Sequence, residues 1–436
     1  MEEKNKKKDK IKELKEEYDH PEDYFYSLKR IGVKLGLEKI KNFLSNFDDP
    51  QNDFETIIVG GTNGKGSVCT TVVNILEEAG YSTGLYVSPH LVDFEERIQV
   101  DGKKIEEEKL WEFISEMNPV LKEIEEENPE ERPSFFEVIT SLAFLYFSEK
   151  DVDFAVLEVG MGGRLDATNV APHDFSVITY VGYDHAEHLG ESKEKRAYEK
   201  AGIVSEENSF ITGERDESLR NYFREVAEER GADFRYAFDK DYEILEDPLR
   251  LKIERYGEIP VQGFTTWQAE NSLISLTLAE ALQDSGYDLE DEDIIKGIEK
   301  TRFPGKMEFI KENPRVMIDS AHNKTGFQAL KQGLSNLDYS RLFLVTGVLE
   351  DKDYESMIEV LGPIVDKVYT AEPVSERKFD SEKLAEEFEK FCKTESQSFE
   401  HGKEALEKAE EKWKENDLIV ITGSMYLIGD IVRKLR

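Results

Sequence analysis

The stretch that decides the fold is Val59-Gly60-Gly61-Thr62-Asn63-Gly64-Lys65-Gly66-Ser67, which lies between an apolar run, Thr56–Val59, and a helical pattern from Val68 to Ala79. In a phosphate-binding loop, backbone N–H groups and a helix N-terminus surround an anion, and a lysine adds a mobile charge. The strict pattern G-x-x-x-x-G-K-[ST] is not met, because Gly60 and Gly64 are one residue too close and Gly66 separates Lys65 from Ser67. The stretch predicts a nucleotide-binding loop, with a flexible glycine-rich turn as the alternative.

Composition narrows the class of protein. The chain has 436 residues, 39% of them hydrophobic, and its 57 Lys and Arg against 94 Asp and Glu give a net charge of −37. Two or three domains are expected at this length. The acidic balance argues against nonspecific nucleic-acid binding, in which a basic face supplies the affinity. Cys69 and Cys392 lie far apart in the chain and are expected to be reduced, buried thiols.

The location is predicted from the apolar runs. None approaches the length of a membrane span, and Met1–Lys4 lacks the apolar stretch of a signal peptide. We therefore expect a cytoplasmic protein without a membrane partner, and we expect a monomer.

Short apolar runs alternate with helical patterns along most of the chain, which is typical of α/β folds. The pattern predicts a P-loop-type parallel-sheet ATPase domain over residues 1–299. A smaller Rossmann-like α/β domain is predicted over residues 300–436, with right-handed crossovers. Residues 1–20 read as a solvated helix or a frayed end, and residues 233–264 as irregular with strand-like pieces.

Polar side chains follow several of the predicted strands, where ligands bind in open α/β sheets. Glu158 ends a buried strand and Ser88 ends its neighbour, and both offer the oxygen ligands that Mg²⁺ prefers. The alternatives are an ion-paired surface glutamate and a turn serine before Pro89. His185 could join such a hard-cation site beside phosphate. A zinc site at His185 and His188 is less favoured, because zinc sites prefer several nitrogen and sulfur ligands.

In the second domain, Asp319 and His322 follow a strand directly and could hold a ribose, a phosphate or an amino acid. The alternative is a helix cap at Asn323 with an oriented surface histidine. The sequence contains no Gly-x-Ser-x-Gly elbow and no Cys/His nucleophile pair, which disfavours a hydrolase. It also has no G-x-G-x-x-G after a strand, which weakens a dehydrogenase reading.

Further motifs follow the loop in a fixed order: Ser88-Pro89-His90-Leu91, Glu96-Arg97-Ile98, Phe136-Glu137, Glu158 to Asn169, Asp184-His185, Glu199 to Ile203, Pro304-Gly305-Lys306, Asp319 to Asn323, Asp351-Lys352-Asp353 and Thr422 to Leu427. With the loop, they resemble the folylpolyglutamate synthase/dihydrofolate synthase family of the Mur ligase superfamily, from about residue 35 onward. The resemblance implies ATP-dependent amide-bond formation. A carboxylate of dihydropteroate or of a folate glutamate tail becomes an acyl phosphate, the amine of L-glutamate attacks it, and ADP and phosphate are released.

The resemblance also implies roles for individual residues. ATP would be held by Thr62, Asn63, Gly64, Lys65, Gly66, Ser67, Asn271 on the adenine side, Lys306 and Asp319. Mg²⁺ would be held by Ser88, Glu158, His185 and, if it is carbamylated, Lys200, with a monovalent cation as a further candidate. The catalytic residues would be Lys65, Glu158, His185 and Lys200. Substrates would contact Lys34, Leu35, Ser134, Phe135, Phe136, Glu137, Leu165, Asp166, Ala167, His322 and Ser424, the last two on the glutamate side.

The chain departs from the family pattern at several positions. Lys306 stands where arginine is usual, which removes a two-pronged contact with phosphate. Ser320 and Lys324 replace a glycine and a proline, and Trp267 replaces a common histidine. Two other functions stay open: a Mur-type ligase that joins an amino acid to a different carboxylate, and a nucleotide-binding module without catalysis. The joint presence of Lys65, Glu158, His185 and Lys200 argues against the second.

Overall fold

An eight-stranded sheet forms the centre of the first domain in the computed structural model, which describes residues 2–28, 36–183, 189–190 and 192–436. Its strands are β1 Glu55–Gly60, β2 Thr83–Tyr86, β3 Ile98–Val100, β4 Lys103–Lys104, β5 Phe154–Glu158, β6 Phe175–Ile178, β7 Ser209–Thr212 and β8 Asp233–Tyr236. They lie in the order β4-β3-β2-β5-β1-β6-β7-β8. The six strands from β2 to β8 in this order are parallel, whereas β3 and β4 pair antiparallel. The carboxyl ends of the parallel strands therefore meet at one edge.

Helices cover both faces of this sheet. They are α1 Glu2–Glu17, α2 Pro21–Ser27, α3 Glu38–Leu44, α4 Lys65–Glu78, α5 Glu107–Glu127, α6 Phe135–Lys150, α7 Lys193–Ala201, α8 Glu217–Arg230, α9 Thr266–Asp284 and α10 Asp291–Lys300. Alternate residues of β1 face opposite cores: Ile57 and Val59 pack with α4, α9 and α10, and Ile58 packs with α7 and α8. A third cluster lies under the first helices and α5 and α6. The burial of both faces explains the almost uninterrupted apolar strands.

Residues 233–264 contain more regular structure than the sequence predicts. β8 is followed by an antiparallel sheet of β9 Tyr242–Glu246, β10 Leu249–Ile253 and β11 Gly257–Pro260. Leu249, Leu251 and Ile253 point into the core beside α9, whereas Arg250 and Lys252 point outward. The predicted strand-like pieces are confirmed, but the regular sheet that they form was not predicted, because these strands are short and only β10 alternates apolar and charged residues.

The second domain is built on a six-stranded sheet. Its strands are β12 Glu308–Glu312, β13 Arg315–Asp319, β14 Leu342–Thr346, β15 Lys367–Ala371, β16 Glu395–Phe399 and β17 Leu418–Thr422, in the order β12-β13-β17-β14-β15-β16. Only β12 pairs antiparallel in this sheet. The helices α11 Lys324–Ser335, α12 Tyr354–Leu361 and α13 Ser381–Cys392 cover one face, and α14 Gly402–Lys412 and α15 Met425–Leu435 cover the other. The edge strands β12 and β16 are polar and were not predicted.

The structure confirms the predicted fold class of two α/β units with parallel sheets. The boundary after residue 299 stays a prediction; it falls at the last residue of α10. The first helix was only partly foreseen, because α1 buries Leu14 and pairs Lys15 with Glu108 of α5 at 2.6 Å. Cys69 is buried as expected, but Cys392 is only half-buried. Over the described part of the chain, no helix has both the length and the apolarity that a membrane crossing requires.

The closest helix contact in the first domain joins α10 to α4. A Cβ atom at Gly297 would lie 2.6 Å from the Ile75 Cα atom, so only glycine fits this crossing. An alanine in a helix is ordinarily more stable than glycine by about 1 kcal/mol. Here we expect Gly297→Ala to lower the free energy of unfolding in urea by about 1–3 kcal/mol, because the helices must separate.

The neighbouring Lys296→Ala change is the matched control, because Lys296 is half exposed and pairs only with Glu292 on the same helix. We expect it to change the free energy of unfolding by less than about 0.5 kcal/mol. A Gly297→Ala protein that is more stable than the wild type would contradict the close approach.

Candidate active site

The glycine-rich loop begins at the carboxyl end of β1 and is held in an unusual backbone conformation. Gly61 and Gly64 have φ angles of 141° and 84°, which side chains disfavour. A Cβ at Gly61 would lie 1.8 Å from the Thr179 hydroxyl, and a Cβ at Gly64 would lie 2.5 Å from Asn271 Oδ1. The Thr179 hydroxyl also donates to the Asn63 carbonyl at 2.8 Å. These glycines therefore let the loop pack tightly between β6 and α9.

Several loop groups bind to the chain itself. The Thr62 N–H donates to the Tyr180 carbonyl at 2.9 Å, and the Thr62 hydroxyl accepts from the Gly182 N–H at 2.8 Å. Helix α4 starts at Lys65, three residues earlier than the sequence indicates, so its N-terminus lies within the loop. The Lys65 ammonium donates to the Thr62 carbonyl at 3.3 Å. The loop is thus held in shape by its neighbours, with a helix dipole and a cation directed to the same place.

Glu158 is the central anion of this site. Its side chain is buried, Oε1 lies 3.7 Å from the Lys65 ammonium, and Oε2 accepts from the Ser88 N–H at 3.0 Å. A Cβ at Gly66 would lie 3.3 Å from Oε2, so a larger residue there would press on the carboxylate. Burial raises the pKa of the Glu158 carboxyl, and Lys65 only partly offsets this. A further cation would stabilise the ionised form, so these oxygen groups fit a hard metal ion.

Lys200 is a second lysine that contacts the loop. It is buried on α7, and its ammonium donates to the Gly61 carbonyl at 2.8 Å. The structure therefore brings Lys200 to the same loop as Lys65. His185 lies outside the described residues, so its predicted place beside Glu158 stays a prediction.

A pocket between the two domains opens directly onto the loop. Asn63 and Asn323 face each other across it and exchange two hydrogen bonds of 3.0 Å, and the Asn323 side chain also caps α11. The first domain lines the pocket with Asn63, Gly64, Ser67, Tyr180, Thr265, Trp267, Gln268 and Asn271. The second domain adds Lys306, Met307, Asp319 to Asn323, Thr325, Gly326, Ala329 and Leu330. The pocket thus gathers most residues that the resemblance assigns to ATP.

The second domain presents its residues from the carboxyl edge of its own sheet. Asp319 and Thr422 are paired across β13 and β17, which brings the following residues, among them His322 and Ser424, close together. The Asp319 carboxylate accepts from the backbone N–H groups of Met307 and Ala321 at 3.0 and 2.9 Å. Burial raises its pKa, although nearby Lys306 acts in the opposite direction. Ser424 caps α15 and is buried.

The predicted substrate segments lie at the start of α6 and after β5. Ser134 and Glu137 form the cap of α6, where Glu137 Oε2 accepts from the Ser134 N–H and hydroxyl at 2.7 and 2.6 Å. Phe136 packs on Gly160, where a Cβ would lie 2.5 Å from the ring, and this places the two segments side by side. The Asp166 carboxylate accepts from Met161 and Thr168, so its oxygens already stabilise the loop.

Other predicted substrate residues lie at the margins of these segments. Leu165 is half-buried and Ala167 is buried, while the ring of Phe135 stacks on Tyr26 with centroids 5.6 Å apart. Lys34 and Leu35 lie outside the described residues. The substrate roles of all these residues stay predictions.

A second and larger cavity, of about 980 Å³, lies between the first helices, the turn after β2 and the second domain. Arg97 lines it and is buried, with its Nε donating to His90 Nδ1 at 3.0 Å. Its guanidinium lies over the rings of Phe94 and Phe135, 5.6 and 5.9 Å from their centroids. A buried cation at a cavity wall suits an anionic ligand.

Several pocket residues were not predicted from the sequence. Asn323 was considered only as a helix cap, and it is one, but its amide also contacts Asn63 of the other domain. Tyr180 and Trp267 form an aromatic pair with ring centroids 5.7 Å apart at the pocket wall. Tyr180 could have been identified from its position just after β6. No sequence pattern indicates the contact between Asn323 and Asn63, because it depends on how the two domains pack.

Two family models match the chain in order. The Mur ligase middle domain matches residues 59–272, and the Mur ligase glutamate ligase domain matches residues 305–425. The dihydrofolate synthase/folylpolyglutamate synthase of Bacillus subtilis is 32% identical over 96% of this chain and 99% of its own length. A probable bifunctional folylpolyglutamate synthase/dihydropteroate synthase of Haloferax volcanii is also 32% identical, over 95% of this chain but only 50% of that protein.

Solved structures agree with these matches. A folylpolyglutamate synthase from Thermotoga maritima superposes with a TM-score of 0.82 and 34% identity, covering 95% of each chain. A bifunctional folylpolyglutamate synthase/dihydrofolate synthase with Mn, AMPPNP and L-glutamate bound gives a TM-score of 0.82 and 26% identity, covering 95% of this chain and 98% of the other. The resemblance found in the sequence is thereby confirmed: the chain belongs to the dihydrofolate synthase/folylpolyglutamate synthase family of Mur ligases.

Proposed function

We propose that the protein is an ATP-dependent ligase that joins L-glutamate to a carboxylate of dihydropteroate or of the glutamate tail of a reduced folate. The carboxylate takes the terminal phosphoryl group of ATP, which leaves ADP and an acyl phosphate. The glutamate amine then attacks the acyl carbon, loses a proton and releases phosphate. The observation that carries the proposal is the interdomain pocket, in which the loop at residues 60–67 faces Lys306 and Asp319 of the second domain.

The chain supplies positioning and charge for this reaction, which are the main needs of phosphoryl transfer. Lys65 and the N-terminus of α4 neutralise the phosphates, and Asn271 packs against the loop at Gly64. Asp319 and Lys306 hold the nucleotide from the second domain. A pocket made by two domains also excludes water, which protects an acyl phosphate from hydrolysis.

Magnesium fits the oxygen groups beside the loop. Glu158, Ser88, His185 and a carbamylated Lys200 would hold it, and it would balance the charge of the ATP phosphates. Carbamylation would turn the buried Lys200 cation into a carboxylate, which suits a neighbouring metal ion better than an ammonium group. The Mn ion and AMPPNP bound in the related structure support a divalent cation and a nucleotide as ligands.

The acceptor and the amino acid would approach from the other side of the loop. We assign Ser134 to Glu137 and Leu165 to Ala167, with Lys34 and Leu35, to the pterin end of the acceptor. His322 and Ser424 are assigned to glutamate. The buried Arg97 in the larger cavity is suited to a carboxylate of the acceptor tail. The fusion of such a ligase to a dihydropteroate synthase in the Haloferax relative supports dihydropteroate as one acceptor.

We infer a cytoplasmic location, where ATP is available, and a monomer. The monomer is supported by the pocket, whose two walls come from the same chain.

A product assay tests the reaction. The protein is incubated with ATP, Mg²⁺, L-glutamate and either dihydropteroate or tetrahydrofolate, and the products are weighed by mass spectrometry. We expect a mass gain of one glutamyl residue and ADP release that requires both substrates. The Lys65→Ala variant should lower turnover by about 100-fold or more, because a phosphate cation is lost.

Two results would contradict the proposal. Nucleotide binding without ADP release in the presence of both substrates would favour a binding module. ADP release with another carboxylate or another amino acid, but not with these, would favour a different Mur-type ligase.

Lys200 provides a test of the carbamate. We expect Lys200→Ala to reduce turnover by about 100-fold or more and short carboxylates such as acetate to restore part of it, because they replace the lost metal ligand. Lys200→Arg keeps the positive charge but cannot form the carbamate, so it should stay inactive. Turnover of Lys200→Ala that equals the wild type would exclude the carbamate role.

The buried Asp319 predicts a pH effect on stability. Because burial raises its pKa, the native protein binds more protons than the unfolded chain at pH values between the ordinary and the raised pKa. As the pH rises through this interval, the wild type should lose free energy of unfolding relative to Asp319→Asn, by about 1.4 kcal/mol per pH unit. Urea unfolding at fixed ionic strength measures this difference.

The exposed Asp338 in the same domain gives the control variant Asp338→Asn, which removes a surface carboxylate without changing the pocket. A difference between wild type and Asp319→Asn that stays constant with pH would show that Asp319 is not a buried charge.

A further inference from the structure

The turn at residues 88–93 belongs to the first domain and contacts the second through the partly buried Leu91. Leu91 packs against the apolar cluster between the second sheet and α14 and α15. A Cβ at Gly429 of α15 would lie 2.2 Å from the Leu91 carbonyl oxygen, and a Cβ at Gly305 would lie 2.9 Å from Leu91 Cδ2. Leu91 therefore occupies a groove that requires a glycine at residue 429, and the absence of a side chain at residue 305 gives the leucine further room.

The turn is rigid on its own side. The Glu96 carboxylate accepts hydrogen bonds from three successive backbone N–H groups, those of Leu91, Val92 and Asp93, at 2.8, 3.3 and 3.0 Å. Lys104 pairs with both Glu96 and Asp93, at 3.2 and 3.0 Å. A turn held in this way transmits a displacement at one end to the other instead of absorbing it.

The same turn is fastened to the end of α15. The Arg433 guanidinium donates to the Val92 carbonyl, and Arg436 pairs with Asp93 at 2.8 Å. These contacts join the turn to the C-terminal end of a helix whose first residue follows Ser424.

The two ends of this connection lie at the site already described. At the start of the turn, the Ser88 N–H donates to Glu158 at 3.0 Å. On the other side, the Gly305 carbonyl accepts from the Ser320 N–H at 2.8 Å, and Gly305 directly precedes Lys306. One leucine thus contacts the segment that carries Lys306 and the helix that starts after Ser424, while its own turn begins at the Glu158 contact.

We propose that Leu91, seated between Gly305 and Gly429, is a positioning residue that sets the second domain against the metal-binding edge of the first. It touches no reacting atom. It fixes the distance between the phosphate loop and the groups that the second domain supplies, and its removal lets the domains shift while each remains folded. The kcat test of this inference rests on the proposed ligase reaction, whereas its amide hydrogen-exchange test rests on the geometry alone.

The test compares Leu91→Ala with Ile310→Ala. Ile310 of β12 packs against the same cluster but belongs to the second domain itself, so its truncation weakens the core without releasing the turn. We expect Leu91→Ala to lower kcat at least tenfold and to raise the Kd for AMPPNP more than threefold, because Lys306 and Asp319 move with the second domain. Ile310→Ala should lower Tm to a similar extent and change kcat less than threefold. Leu91→Met should restore kcat to within threefold of the wild type, because it refills the groove.

Two further measurements keep the test independent of any single variant. Gly429→Ala pushes the turn away from the other side and should lower kcat in the same way, whereas Leu435→Ala at the exposed end of α15 should not. Amide hydrogen exchange should rise over residues 425–435 in Leu91→Ala and not over β17 at 418–422, with Ile310→Ala showing no such local rise.

Different results would overturn the positioning role of Leu91 and the proposed function. Equal losses of kcat in Leu91→Ala and Ile310→Ala, in proportion to Tm, would overturn the positioning role. Unchanged exchange over 425–435 in Leu91→Ala would overturn it as well. A wild type that releases no ADP with either pterin substrate would refute the proposed function instead, and hydrogen exchange alone would then decide whether Leu91 couples the domains.

Discussion

The rest of the site depends on a carboxylate that is buried against the first turn of a helix. Glu158 lies beside Lys65 without strain because residue 66 has no side chain: a Cβ there would lie 3.3 Å from Oε2, and the carboxylate would have to move by a few tenths of an ångström. This constraint explains the unusual spacing of the loop. The glycine that displaces the serine from the position after the lysine leaves room for the Glu158 carboxylate of the neighbouring strand, which accepts a hydrogen bond from the Ser88 N–H.

Cations are gathered around the site, although the chain as a whole is acidic. The molecule carries a net charge of −37, yet Lys65 and Lys200 both contact the phosphate loop, Lys306 lines the interdomain pocket and Arg97 lines the larger cavity. These cations lie where anionic substrates would enter, although the larger cavity is also lined by Glu22, Asp23, Glu376 and Asp430. Two parallel sheets whose carboxyl edges face a common pocket make this arrangement possible, because each edge gathers polar residues from several strands.

The sequence predicted those parts of the fold and of the site that are determined by residues close together in the chain. Apolar strands buried on both faces, such as β1 and β5, and the polar residues that follow them were predicted, because a strand and its carboxyl end are adjacent in the chain. The antiparallel strands β9 to β11 were predicted only as strand-like pieces of an irregular segment, and the edge strands β12 and β16 were missed, since many of their residues face water. The Asn63–Asn323 contact spans 260 positions, and no local pattern contains it. The predicted ligand roles of His185, Lys34 and Leu35 stay predictions because these residues lie outside the described part of the chain.

The groove between Gly305 and Gly429 also offers a binding site for an inhibitor. It is a small apolar groove on the second domain that is filled by a leucine of the first, next to Arg433 of α15 and the following Arg436. A short peptide or compound that mimics the turn at residues 88–93 would compete with the protein's own side chain. It would not enter the nucleotide pocket, but Leu91 also lines the larger cavity that we assign to the acceptor tail. Such an inhibitor would act by wedging the domains apart, and high concentrations of ATP would not displace it directly.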